Sequence, residues 1–142
     1  MADQLLRLRD DDPAEEPAVT LDAFLAQADA GAVRIEPGDD ARALLPHLQR
    51  LRLIEIAFPG FRDGRGYSAA RILREHGYAG ELRAEGDVLI DQIVPMRRAG
   101  FDSFAPRVPI DRAAVDTALA RYRHVYQAAA DDRAPVWKLR HG

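Results

Sequence analysis

The 142-residue chain contains no cysteine, which rules out disulfides, thiol redox chemistry, thiolate zinc sites and cysteine-held iron–sulfur clusters within it. Any redox role needs a borrowed or non-covalently bound cofactor. None is expected here. Four histidines, His47, His76, His124 and His141, are scattered without HxH or HxxxH spacing, so no metal site is read from them. No run reaches the ~18 apolar residues that cross a bilayer. The opening Met1–Asp12 lacks the apolar core and small-residue cleavage site of a signal peptide, so a cytoplasmic protein is expected. With a net charge of -3 and no lysine-rich tail, the chain has no basic field for nucleic acid, and neither nucleic acid nor membrane is an expected partner.

What is present reads as one domain. Hydrophobic residues make up 47% and charged residues 30%, an ordinary globular balance, in a length that suits a single core. The acidic, proline-bearing DDDPAEEP at Asp10–Pro17 places a flexible lead-in over residues 1–20, followed by a single α/β domain at 21–127 and a C-terminal extension at 128–142 anchored by Trp137. Thr20 is placed to cap a helix from Leu21 to about Ala28.

Apolar, β-branched runs at Val33–Glu36 and Leu53–Phe58 flank a helical stripe of Ala41, Leu44, Leu45, Leu48 and Leu51, with Pro46 kinking or starting that helix. A helix from Tyr67 to Glu75, a strand at Glu81–Glu85, a helix capped by Asp87 and bent at Pro95, a strand at Phe101–Ala105 and a long helix capped by Asp111 complete the alternation. The pattern predicts about four parallel strands with crossover helices, either an open three-layer sheet or a half-barrel-like arrangement.

Ligands of parallel α/β sheets bind beyond the carboxyl ends of the strands. The loop after the second predicted strand, Pro59–Ser68, brings Arg62, Asp63, Gly64, Arg65, Gly66, Tyr67 and Ser68 to that end. Its glycines permit positive φ and close backbone approach, and an arginine there offers a bidentate fork for an oxyanion. The loop has neither the GK[ST] of a P-loop nor a GxGxxG, and DGRGYSAA is not a GxSxG elbow. Ser68 reads as a helix cap. From the next loop come Glu85, Asp87, Asp91 and Gln92; the three acids form a carboxylate cluster with Asp63, or else Asp87 is a helix cap and Asp91 a first-turn acid complementing the dipole. Arg83 lies between Leu82 and Ala84 in a strand, where it must be paired or covered.

The run FPGFRDGRGYSAARILREHGYAGELRAEGDVLIDQ, followed by RRAGFDSF, closely resembles a bacterial family, domain of unknown function family 934. Its members carry FPxFxDGRGYSxAxxLR, then GYxGELRAxGDVLxDQ, then GFDxF, a match covering Leu53 to Phe104. Asp63, Gly64, Arg65, Gly66, Tyr67, Ser68, Arg71, Arg74, Gly80, Glu81, Arg83, Gly86, Asp87, Asp91 and Gln92 fall on those motifs. Many relatives have a cysteine just before the GFD, where this chain has Ala99.

The resemblance implies a role in assimilatory sulfite reduction, as an oxidoreductase or an accessory protein. The missing cysteines favour the accessory role, with sulfite reductase or another sulfur-assimilation enzyme as partner and self-association left open. The alternative is a small oxyanion-binding enzyme or oxidoreductase using the Arg65 loop.

Overall fold

The computed structural model describes residues 4–27, 29–60 and 64–129. Arg62, Asp63 and Trp137 lie outside them. Six strands form one sheet: β1 (Leu6–Arg7), β2 (Val19–Thr20), β3 (Ala32–Ile35), β4 (Leu53–Phe58), β5 (Glu81–Gly86) and β6 (Ser103–Pro106). The helices are α1 (Leu21–Gln27), α2 (Arg65–Glu75), α3 (Ile93–Ala99) and α4 (Arg112–Ala129), with 3-10 helices at Ala41–Arg50 and Ile90–Gln92.

The spatial order is β1-β6-β5-β4-β3-β2; β2 through β6 are parallel, and β1 is antiparallel against β6. The four predicted strands are therefore joined by two more, each two residues long, drawn from the stretch read as a flexible lead-in. Such short pairings carry no period in the sequence, and their partners are remote.

Each parallel strand lies beside its successor in the chain, so every crossover steps the same way, and right-handed crossovers then place all helices on one face. The core agrees. Val33, Ile35, Ile54, Ile56, Phe58, Leu82, Ala84 and Phe104 from one side of the sheet form a single cluster with Phe24, Leu44, Leu73, Ile93, Met96, Val115 and Leu119 from the helical segments. Among the described residues the helical segments thus pack against one face of a singly wound, mostly parallel sheet.

The opposite face explains Arg83. A lateral row runs Thr20, Arg34, Glu55, Arg83, Ser103, Arg7 across all six strands, each residue in register with the next. Arg34 meets Glu55 at 2.7 Å and Glu85 at 2.8 Å; Arg83 meets Glu81 at 2.9 Å, donates to the Ser103 hydroxyl at 3.2 Å and lies 3.7 Å from Glu55. Arg7 closes the row on Glu81 at 2.8 Å. Because side chains alternate along a strand, a slip of one residue would drive these charges into the apolar cluster, so the row fixes the register.

Local chemistry sets the helix ends. The Thr20 hydroxyl accepts from the Ala23 amide at 3.1 Å and Asp111 from the Ala113 amide at 3.1 Å, as the sequence predicts. Pro46 lies inside a ten-residue 3-10 helix rather than a kinked α-helix, consistent with the donor it removes and its clash with an α-helical carbonyl four residues back. Asp87 caps no helix. The Leu89 amide is taken instead by the Gln92 side chain at 3.1 Å, and Pro95 lies in the first turn of α3, where proline bends nothing.

The acidic linker between β1 and β2 runs along the amino ends of the parallel strands. Arg9 reaches Asp102 at 2.8 Å and the Ala79 carbonyl at 3.2 Å, while Glu16 accepts from the Gly31 amide at 3.1 Å. Those three partners sit just before β6, β5 and β3, so the linker straps the lower edge of the sheet.

Candidate functional site

At the carboxyl ends of β3 and β4 a cavity of about 350 Å³ opens between α2 and the 3-10 helix at Ala41–Arg50. Its apolar body includes Ile35, Ile56 and Ile72. Around the polar part stand Glu36, Asp39, Asp40, Arg42, Arg65 and Ser68.

Half of this wall was not expected from the sequence. Expectation centred on the loops after the next two strands, whereas Pro37-Gly38-Asp39-Asp40, following β3, is also a carboxyl-end loop ahead of a helix. The turn is rigidly made: Gly38 takes φ 95°, the Asp39 carboxylate accepts from the Glu36 amide at 2.8 Å, and Asp40 accepts from the Arg42 amide at 3.0 Å. A proline-glycine pair before two aspartates was the available signal.

From the Gly64–Ser68 loop, Arg65, Gly66 and Ser68 line the other half, with two changes of role. Gly64 has φ -77° and Gly66 lies within α2, so neither supplies a left-handed turn. What Gly66 supplies is proximity, since a side chain there would collide with the Phe58 ring. Tyr67 packs edge-on to that same ring at 5.6 Å, and burial raises its phenol above the ordinary range. Ser68 is not the cap: its amide donates to the Gly64 carbonyl at 3.3 Å, making Gly64 the residue that enters the helix.

Arg83, Asp87, Asp91 and Gln92 do not line the cavity. Arg83 belongs to the charged row on the sheet face opposite the apolar cluster. Asp87 pairs with Arg107 at 2.6 Å, and its amide donates to the Phe58 carbonyl at 2.7 Å. Asp91 is exposed in the 3-10 turn at Ile90–Gln92, whose Gln92 serves the Leu89 amide. Glu85 is taken by Arg34 and Asp87 by Arg107, so these two acids are held by separate arginines. Among the described residues, no group of three metal-ligating side chains comes together.

Several motif residues instead build the amino end of the sheet. Arg74 donates to the Gly100 carbonyl at 2.8 Å, to the Tyr78 carbonyl at 2.8 Å, to the Gly80 carbonyl at 2.9 Å and to Asp102 at 3.1 Å. The other Asp102 oxygen accepts from the Leu82 amide at 2.9 Å. Burial lowers the Arg74 guanidinium from its ordinary range, with Asp102 opposing that shift. The Tyr78 hydroxyl donates to the Glu81 carbonyl at 3.0 Å, and burial holds that phenol well above its ordinary value. These contacts join α2, the α3–β6 turn and the strap, so the LR and GFD parts of the motif are structural.

Fold and site together define a singly wound α/β protein whose one helical layer leaves a small-molecule-sized cavity at the carboxyl ends of two adjacent strands. The chain belongs to the family described as "Bacterial protein of unknown function (DUF934)", whose sequence model matches residues 32–137. No curated protein and no solved structure matches it. Among the described residues no helix is long and apolar enough to cross a membrane.

Proposed function

We propose that the protein is a cytoplasmic accessory component of assimilatory sulfite reduction that docks on a partner enzyme through its carboxyl-end rim. The observation that carries the docking is the pair of exposed aliphatic side chains there. Leu89 is 47% exposed and Val108 69% exposed, on loops tied side by side by the Arg107–Asp87 ion pair and by the Arg107 amide on the Gly86 carbonyl at 2.8 Å. Aliphatic side chains held out on braced loops are suited to burial against another surface. The link to sulfite reduction comes from the family resemblance, and the absence of cysteine favours assistance over electron transfer through thiolate-held clusters.

The test is a titration of the purified chain with sulfite reductase from the same organism, repeated with Val108→Asp, Leu89→Asp and Arg65→Ala. Saturable binding that the two aspartate variants abolish, with unfolding temperature unchanged, is the expected result. Lack of binding through the micromolar range would overturn direct docking on that enzyme.

The cavity supports a second reading, a binding site for a small ligand bearing an oxyanion. Arg65 and Arg42 line it beside the first turn of α2, the geometry in which guanidinium forks and backbone amides hold anionic oxygens. Isothermal titration with sodium sulfite and sodium sulfate tests it, with binding lost in Arg65→Ala as the expected outcome.

A further inference from the structure

The amino-terminal residues lie on the sheet as a separable arm. β1 is two residues long and is the one antiparallel strand among the described residues. Residues 8–18, which form neither strand nor helix, join it to β2. Because β1 and β2 are the two outermost strands, that connection passes from one edge of the sheet to the other. Pro13 and Pro17 within it favour extended chain.

The contacts of the arm define the slot it occupies along β6. Leu6 is buried in the apolar cluster, and the Leu8 amide donates to the Asp102 carbonyl at 2.8 Å. Arg7 pairs with Glu81 at 2.8 Å and Arg9 with Asp102 at 2.8 Å. The Gln4 side chain exchanges two hydrogen bonds with the backbone of Ile110, at 2.8 and 2.7 Å. The slot therefore accepts an extended segment in which an apolar residue is followed by arginines one and three positions on.

The slot outlasts the departure of the arm. Glu81 keeps Arg83 on its other oxygen, and Asp102 keeps Arg74 and the Leu82 amide, so both buried carboxylates stay held from within the sheet. What departure leaves unmet is the Leu6 recess, one oxygen of Glu81 and the edge of β6. An open edge invites a strand, and the acids select one that carries arginine at those positions.

We propose that this slot is also filled by the arm of a second copy, giving a dimer that exchanges residues 4–9. The second copy carries the same Leu-Arg-x-Arg segment, so each contact broken within a chain is remade between chains, which makes such an exchange a low-cost route to a dimer. The connection at residues 8–18 is the hinge, and it has no regular structure to lose.

A chain without cysteine lets single introduced thiols report the exchange. Leu6 pairs with Phe104, which sets Leu5 opposite Ala105. Leu5→Cys and Ala105→Cys chains, one of them tagged, are mixed, refolded together from urea at several concentrations, oxidised and resolved on a non-reducing gel. The expected product is a disulfide-linked dimer with one chain of each kind, increasing with concentration and severalfold above a mixture of Leu25→Cys with Ala105→Cys. Adding Arg7→Glu and Arg9→Glu to the Leu5→Cys chain should remove it. A chain carrying both cysteines should close internally at low concentration; failure to do so overturns the slot. Internal closure with no mixed dimer above the Leu25→Cys control overturns the exchange. Should a variant misfold, the unsubstituted chain decides: light scattering after refolding at high concentration should show a dimer, and a monomer at every concentration refutes the proposal.

Discussion

Replacing Asp102 with alanine should cost more stability than most single substitutions in this chain, for reasons visible in its contacts. The residue is 5% exposed, and its two oxygens accept from the Leu82 amide, from Arg9 and from Arg74. Alanine leaves a backbone donor unsatisfied and two guanidiniums without their shared counter-charge. Breaking a buried pair from one side costs about 3–5 kcal/mol, out of the roughly 5–15 kcal/mol that hold a domain together. At this chain length a kilocalorie lowers the melting temperature by about 3 °C, so a drop of roughly 9–15 °C is expected.

Asp102→Asn separates the contributions, because it keeps an acceptor for Leu82 and loses only the charge. It should lose about 1–3 kcal/mol. Thermal and urea unfolding followed by circular dichroism at neutral pH measure both variants. A melting temperature for Asp102→Ala within about 3 °C of the parent, or indistinguishable losses for the two variants, would refute the reasoning. A double-mutant cycle with Arg74→Met should show coupling of about 0.5–3 kcal/mol between the two sites.

Three further outcomes follow from the same structure. Burial pushes the Glu81 carboxyl up, but hydrogen bonds from Arg7, Ser103 and Arg83 outweigh it and hold the group below its ordinary 4.5. The stability it confers is therefore present above about pH 4.5 and lost as pH falls through the lower folded value; urea midpoints across acid pH should decline there, and Glu81→Gln should flatten that decline while lowering stability at neutral pH. Tyr78 titrates above its ordinary 10.0, so its contribution is intact below that value and is lost as pH rises past it; Tyr78→Phe should lose about 1 kcal/mol at neutral pH and show less alkaline loss in the same assay. Gly86→Ala, at φ 114° and against the Phe58 carbonyl, should destabilise by more than about 2 kcal/mol, whereas Gly64→Ala, with open space around it, should change stability by less than about 1 kcal/mol, as thermal melts will show.

Strands β3 and β4 were legible as apolar runs and β5 and β6 as short segments between glycine-bearing turns in the strand–helix alternation, and the long helices because their stripes repeat. The strap was not. DDDPAEEP resembles solvated chain in composition, and only the remote positions of Asp102, Ala79 and Gly31 give Arg9 and Glu16 their partners. The candidate site was half legible for a similar reason. Gly66 stood out in the motif, but its purpose depends on the Phe58 ring, and the cavity's second wall comes from an inconspicuous turn after β3. Arg83 was correctly marked as needing a partner. The register that supplies Glu81, Glu55 and Ser103 appears only once strands are aligned.

The step-by-step winding of the sheet has a consequence for how the chain acquires its shape during synthesis. From β2 onward each strand leaves the ribosome after its neighbour is already available, so the parallel sheet can extend outward one unit at a time. The strand made first is the exception. Leu6 pairs with Phe104, so β1 must wait through nearly the whole sheet before its partner exists, and the strap cannot close on Asp102 until then. That closure is the longest-range pairing in the sheet and the slowest to be rewarded. Until it forms, the edge of β6 is open to pairing with another chain, and the same few residues that finish the fold also protect it.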